Sequence, residues 1–254
     1  MKTVFISIII LLLNFSFSKE TLGLVTKSKG KVQYQKYDSN KFSSSVKKGL
    51  GLYGDDQIRT GDNGFSIYRY LDDASSIKIL KNSEVIIQGR VDSRKITKNI
   101  EVTNGLLNFN IDQQNEGYFT VVTPTSVATV KGTEFWLICN GIEGDKFLGV
   151  EGTVEVQNIE SGQTVVLNEN STVVSTSSGD ITTQTMTTED FQQVNDLEDE
   201  SGEYEDFEID TETGFDDSNE QSDPSSDSGD DSSVIRIEFE DASGNSKEII
   251  IKYK

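Results

Sequence analysis

The stretch Phe119-Thr120-Val121-Val122-Thr123-Pro124-Thr125-Ser126-Val127-Ala128-Thr129-Val130-Lys131-Gly132-Thr133-Glu134-Phe135-Trp136-Leu137-Ile138-Cys139 decides the fold class. Nearly every position is β-branched, aromatic or small, the set that packs well on a pleated surface. Pro124 has no amide hydrogen to give to a ladder, so Thr123-Pro124 ends a strand or sits at an edge. Past it, Phe135, Leu137 and Cys139 fall on one side of an alternating strand and Trp136 on the other. Gly132, inside a strand pattern, marks a bulge or a close backbone approach, and its threonine neighbours suit a β-ladder.

Working outward, the same period of two recurs. Lys31–Tyr34, Phe65–Leu71, Ser76–Leu80, Val85–Ile87, Val154–Val156, Val165–Leu167 and Val173-Val174 are short β-branched or aromatic runs separated by Gly, Asn, Asp and Ser clusters. Such spacing belongs to a sandwich, barrel or β-roll. Between residues 22 and 188 no window longer than ten residues keeps an apolar period of 3.6. Thr60-Gly61-Asp62-Asn63-Gly64 has the composition of a tight hairpin turn, with Gly64 free to take positive φ. Glu143-Gly144-Asp145, Glu151-Gly152 and Ser161-Gly162 read as further reversals. The expected architecture is all-β: a single β-sandwich or β-roll domain over 19–188.

The flanks differ from this body. Met1-Lys2 followed by the apolar run Val4–Phe15 and by Ser16-Phe17-Ser18 reads as a signal peptide, 1–18, cleaved after Ser18. A spanning helix needs about 20 apolar residues, and Lys19-Glu20 ends this run earlier. The mature chain is therefore expected in the periplasm, on the cell surface or secreted, with no stable membrane span. Residues 189–232 carry 19 Asp or Glu and no Lys or Arg, nearly all of the chain's net charge of −20. That composition cannot bury enough apolar surface to offset the entropy of ordering, so it reads as a disordered acidic linker. Residues 233–254 return to alternation: Ile235, Ile237 and Phe239, then Ile249, Ile251 and Tyr253, a C-terminal β-hairpin around Asp241–Asn245.

Composition excludes several chemistries. The chain has no histidine and one cysteine, which removes the Ser/His/Asp triad, imidazole-based acid–base and metal sites, internal disulfides and Cys-cluster metals. A strongly acidic chain lacks the basic footprint that nucleic acid requires. Neither Asp196–Gly202 nor Asp223–Asp231 has the glycine and glutamate spacing of a calcium loop. There is no phosphate-cradling glycine loop and no nucleophile elbow. Asp55, Asp56, Asp62, Asp72, Asp73 and Glu151 supply carboxylates for a glycosidase-type pair, but at β-turns such residues are expected to form turns. No catalytic residue, cofactor or metal is expected.

Five blocks of sequence, in order, carry a resemblance to a known family. The first is Leu52-Tyr53-Gly54-Asp55-Asp56-Gln57-Ile58-Arg59-Thr60-Gly61-Asp62-Asn63-Gly64. Leu71–Ile77 with Leu80–Ser83 follows, then Gly105-Leu106-Leu107 as the start of a strand. The fourth and strongest is Phe119–Phe135, which carries Thr123, Pro124, Gly132, Thr133 and Phe135. Gly149-Val150-Glu151-Gly152-Thr153-Val154 closes the set. Together these blocks, over about residues 30–175, resemble the FecR domain, a β-rich extracytoplasmic module of iron-siderophore signalling regulators and of many exported bacterial proteins. The resemblance implies a binding module without an active site, whose motif residues build the fold. In signalling members a cytoplasmic anti-sigma segment and a membrane helix precede the domain, where this chain has its leader.

The function expected is a non-catalytic, exported FecR-like module that binds a protein partner in the cell envelope. The alternatives are a membrane-anchored anti-sigma-type regulator of iron uptake and a cell-wall or carbohydrate-binding surface protein. Arg59 either offers its guanidinium to a carboxylate ligand or pairs with Asp55, Asp62 or Asp73, and pairing is the expectation. Trp136 either stacks on a sugar from an exposed face or belongs to a second layer of core. Cys139 is expected to be a small buried apolar residue.

Overall fold

The computed structural model describes residues 19–43, 46–92, 95–114, 117–205, 233–240 and 246–253. The expected leader, residues 206–232 of the acidic segment and the hairpin loop 241–245 lie outside them. The chain divides into two units, within Met1–Glu208 and Ile209–Lys254.

The first unit holds β1 (Gly23–Lys29), β2 (Val32–Gln35), β3 (Gly51–Leu52), β4 (Asp56–Thr60), β5 (Phe65–Tyr70), β6 (Ser76–Ile79) and β7 (Glu84–Asp92). Then come β8 (Lys95–Ile111), β9 (Phe119–Val122), β10 (Ser126–Cys139), β11 (Gly144–Asn158), β12 (Thr164–Asn168), β13 (Ser171–Thr176) and β14 (Ile181–Thr185). One α-helix among the described residues, α1 (Thr188–Glu205), follows.

Three long strands organise the body by changing layer midway. The N-terminal half of β8 pairs with β7 and, in parallel, with β9, whereas residues from Gly105 onward pair with β10 and β6. β10 runs from β9 to β8, and β11 runs from β13 to β12, in the same manner. The result is two layers: β14-β13-β11-β10-β8-β6-β5-β1-β3, and β12-β11-β10-β9-β8-β7-β4-β2. Strands that switch sheets need a bend or bulge at the corner. Register shifts occur in the β10–β11 pairing after Val130 and after Glu134. At the corner, Gly105 has φ +132 and Gly152 has φ +76, and a Cβ on Gly152 would stand 2.7 Å from the Gly132 carbonyl oxygen. Only glycine adopts that conformation in that space.

Three expectations are corrected here. Glu151-Gly152 is a bulge inside β11 rather than a reversal, and Gly105 bends β8 rather than starting a strand. The Thr60–Gly64 turn joins no hairpin: β4 pairs with β2 and β7, β5 with β1 and β6, so the turn crosses between layers. Gly64 has no positive φ; it is required because a Cβ would lie 2.3 Å from the Lys31 carbonyl oxygen.

Between the layers lies one apolar core. Val25, Tyr68, Tyr70, Phe109, Phe135, Leu137 and Phe147 come from the first layer, and Ile58, Val85, Ile100, Phe119, Val121 and Val154 from the second. Its rings form a chain. Tyr68 meets Tyr70 at 4.9 Å, Tyr70 meets Phe119 at 5.7 Å, Phe119 meets Phe109 at 6.0 Å, and Phe109 stacks on Phe135 at 5.0 Å. Such pairs contribute about 0.5–1.5 kcal/mol each beyond area burial. Cys139 lies in this core, as expected.

The acidic segment is corrected over its first part. Residues 188–205 are helical, and α1 covers the outer face of the first layer. A reciprocal cap starts the helix: the Thr187 hydroxyl accepts the Asp190 amide, and the Asp190 carboxylate accepts the Thr187 amide. Asp190, Val194, Leu197 and Ser201, one face at helical spacing, are buried. Val194 and Leu197, with Met186, pack in a second apolar cluster with Phe65, Leu80, Trp136, Ile138 and Leu148. Trp136 therefore belongs to a second core, between the first layer and α1, and is fully buried.

The second unit is the expected hairpin. β15 (Ser233–Glu240) and β16 (Ser246–Tyr253) pair antiparallel, with Ile235 opposite Ile251 and Ile237 opposite Ile249.

Candidate functional site

Most of the motif residues are structural centres, and the chemistry shows why. In the first block the pivot is Asp56, a fully buried carboxylate. It accepts the Tyr34 hydroxyl at 2.9 Å and the backbone amides of Tyr37 at 2.8 Å and Tyr53 at 2.9 Å. Burial and Asp56 together push the Tyr34 phenol well above its ordinary range. Beside it, Asp55 has φ +70 and pairs with Lys19, whose Nζ also donates to the Gly54 carbonyl. Ile58 is in the core, and the Thr60 hydroxyl bridges Leu80 and Ser83. The Gly61 amide donates to Lys31 and its carbonyl accepts from Asn82.

Arg59 pairs, but not with any of the three aspartates considered. Its guanidinium grips Glu84 on β7 through two bonds of 2.9 and 3.0 Å, under the Phe42 ring at 4.2 Å. Asp72 and Asp73 instead enclose Lys98, whose side chain is 2% exposed. Burial opposes ionisation of Asp73, yet Lys98 and the Gln114 amide hold its carboxyl below the ordinary value.

The fourth block forms a second buried centre. The Asp145 carboxylate accepts the hydroxyls of Thr123, Thr125 and Ser126 at the Thr-Pro-Thr-Ser turn. The Thr123 hydroxyl in turn accepts the Ser126 amide at 2.8 Å. β9 ends at Val122, one residue before Thr123-Pro124, as the proline requires. Cys139 is the register partner of Asp145. Burial, then Asp145, pushes its thiol up to about 12. Thr133 donates to the Thr153 carbonyl at 2.9 Å, and Phe135 fills the core. Sequence reasoning missed Asp56 and Asp145 as centres; both have polar neighbours, and their one signal is alternation with the apolar Ile58 and Phe147.

Two surfaces remain. Near the corner, Glu134 and Glu151 lie opposite or adjacent across β10–β11 and line an open groove with Asp112, Gln114 and Lys131. Glu134 accepts Asn108 and Asn110 at 3.2 and 3.3 Å. Glu151 is exposed, so neither sits in the apolar pocket that holds a general acid protonated. Among the described residues no group of three or more potential ligands gathers as a metal site.

The second surface is the outer face of the second layer. Register places Gln57, Ile86, Glu101, Val122, Val127 and Gln157 in one row, and Gln88, Asn99, Thr120, Thr129, Glu155 and Val166 in the next. These side chains are half-buried to exposed. Each row spans its strands with a single charge, and the Asn99 Oδ1 has no partner. No described residue plays the covering part that α1 plays on the first layer.

No curated protein matches the chain. Two crystal structures of a “putative anti-sigma factor” from Parabacteroides distasonis are similar at 18% identity, with TM-scores of 0.42 and 0.45. The matches cover 51% and 56% of this chain, and only 59% and 63% of those chains. The family model described as FecR protein matches residues 56–155, from the first residue of β4 into the second half of β11. That interval contains β8, β10, all but the last three residues of β11 and both buried carboxylates, and over it the chain matches the FecR model.

Proposed function

We propose that this chain is an exported, non-catalytic regulatory module that acts by binding a protein partner in the cell envelope. The FecR match supports a regulatory, contact-making role. The observation that carries the reading is the division of labour in the domain. Asp56, Arg59, Thr60, Thr123, Thr133 and Asp145 are all engaged in holding strands together. What the domain offers outward is a broad sheet face of amides, hydroxyls and β-branched groups with few charges. Surfaces depleted of charge at their centre are suited to protein contact.

The tethered hairpin is a second contact element. A two-stranded ribbon is marginal alone in water, and β15–β16 pair only with each other among the described strands. Adding to a partner's sheet edge is the mode its backbone suits.

The test joins processing and binding. Fractionated cells are expected to yield the protein outside the cytoplasm with Lys19 as its first residue. Cross-linked envelopes are expected to yield a partner that is lost from a Thr120→Lys/Thr129→Lys variant of unchanged thermal stability. A cytoplasmic protein that retains Met1, or an identical partner set for both proteins, would refute the reading.

A further inference from the structure

The seat beneath α1 is better built than its occupant. Phe65, Leu80, Trp136, Ile138 and Leu148 form a continuous apolar floor on the outer face of the first layer. Lys146 stands at one end, where it pairs with Asp190 and donates to Gln193 at 2.7 Å. Lys81 stands at the other, 3.0 Å from Glu200. Ten residues separate Asp190 from Glu200, about 15 Å of helix rise, so the two lysines hold the helix at points almost three turns apart.

The helix itself has little internal stability. Its 18 residues include eight carboxylates, no Lys or Arg, and Gly202. Asp196 and Glu200, and Asp199 and Glu203, are like charges four apart, which destabilises an isolated helix. Among the described side chains of the helix, Val194 and Leu197 enter the apolar cluster. An 18-residue helix of this composition is marginal in water, so the floor and the two lysines are what keep it folded.

We propose that this groove is an exchangeable helix-binding site: α1 fills it in cis, and an acidic amphipathic helix of a partner protein takes its place in trans. The ligand pattern is read from the resident helix. It needs a carboxylate four residues before the first of two aliphatic residues spaced three apart, and a second carboxylate three residues after the second. Charge complementarity to Lys81 and Lys146 selects an acidic helix over a basic one. This deepens the binding-module reading and rests on it, but concerns a different face. Failure here leaves the envelope location and the second-layer contact intact.

Trp136 is the chain's only tryptophan and lies under the helix, so its emission reports occupancy. In a full-length Val194→Ser/Leu197→Ser variant, emission is expected to shift to the red and acrylamide quenching to rise several-fold, with the β-sheet circular dichroism unchanged. A synthetic peptide of residues 186–205 is then expected to restore shielded emission, whereas a scrambled peptide of equal charge does not. If Trp136 stays shielded in the variant, or the 186–205 peptide fails to restore it, the proposal is overturned. Should that variant fail to fold, Lys81→Gln/Lys146→Gln keeps the apolar floor. Amide exchange across 188–205 is expected to accelerate at least tenfold there with β10 unchanged, and equal exchange overturns the proposal.

Discussion

Acid is expected to loosen α1 before it unfolds the sandwich, and Asp190 sets the scale. Its side chain is 6% exposed beside Lys146. Burial works against its charge, but Lys146, the Thr187 amide and the Thr172 hydroxyl hold its carboxyl down to about 2 from an ordinary 3.8. A carboxylate whose folded pKa lies below its unfolded value stabilises the fold above the unfolded value and loses that contribution as pH falls through the folded one. At about 1.4 kcal/mol for each unit, the charge contributes about 2 kcal/mol near neutrality. That contribution is complete above about pH 5 and gone near pH 2. Denaturation followed by Trp136 emission is the assay, with Asp190→Asn as reference. The variant is expected to be about 2 kcal/mol less stable at pH 7, or about 4–8 °C in Tm for a body of this size. The two proteins are expected to converge as pH approaches 2. Every other carboxylate is common to both proteins, so the difference isolates Asp190. Parallel curves from pH 7 to pH 2 would refute the reasoning.

Three further outcomes follow from the buried centres and the corner. Asp56→Ala leaves the Tyr34 hydroxyl and the Tyr37 and Tyr53 amides without their acceptor, and is expected to cost at least about 3 kcal/mol in urea denaturation; a loss under 1 kcal/mol contradicts the assignment. Gly152→Ala forces a methyl to within 2.7 Å of the Gly132 carbonyl at φ +76 and is expected to lower stability by about 2 kcal/mol or more, while Gly162→Ala in the β11–β12 loop, with open space around it, costs about 1. The Cys139 thiol, raised to about 12 by burial, is expected to resist a thiol reagent at pH 8 until the protein is unfolded; prompt labelling of the native protein contradicts its place in the core.

The strands were legible because β-branched alternation is a local signal. What escaped local reading was where strands go. Gly105 and Gly152 look like breaks in sequence, yet each lies within a continuous strand and lets it turn a corner, as Gly132, legible as a bulge, also does. The Thr60–Gly64 turn has hairpin chemistry, but turn residues fix a local reversal and not which layer the next strand joins. Arg59 was recognised as a paired residue; its partner Glu84 lies 25 residues on and meets it only through the β4–β7 register. Helix α1 was hidden by its charge. Eight carboxylates argued for disorder, and they outweighed the Thr187/Asp190 cap and the Asp190, Val194, Leu197, Ser201 face. The deciding term was tertiary: an apolar floor and two lysines supplied by strands far away in sequence. The FecR blocks, by contrast, were legible as motifs, and in this chain Asp56, Thr60, Thr123 and Thr133 fix the strand and turn geometry within them.

The central claim is that β8, β10 and β11 bind two layers into one cooperative body, on which the FecR motif residues are held. Native-state amide exchange along these strands tests it most directly. Protected amides in both halves of each strand, on either side of Gly105, Gly132 and Gly152, are expected to open with one common free energy equal to that of global unfolding. Halves that open separately, with free energies differing by more than about 1 kcal/mol, would contradict it.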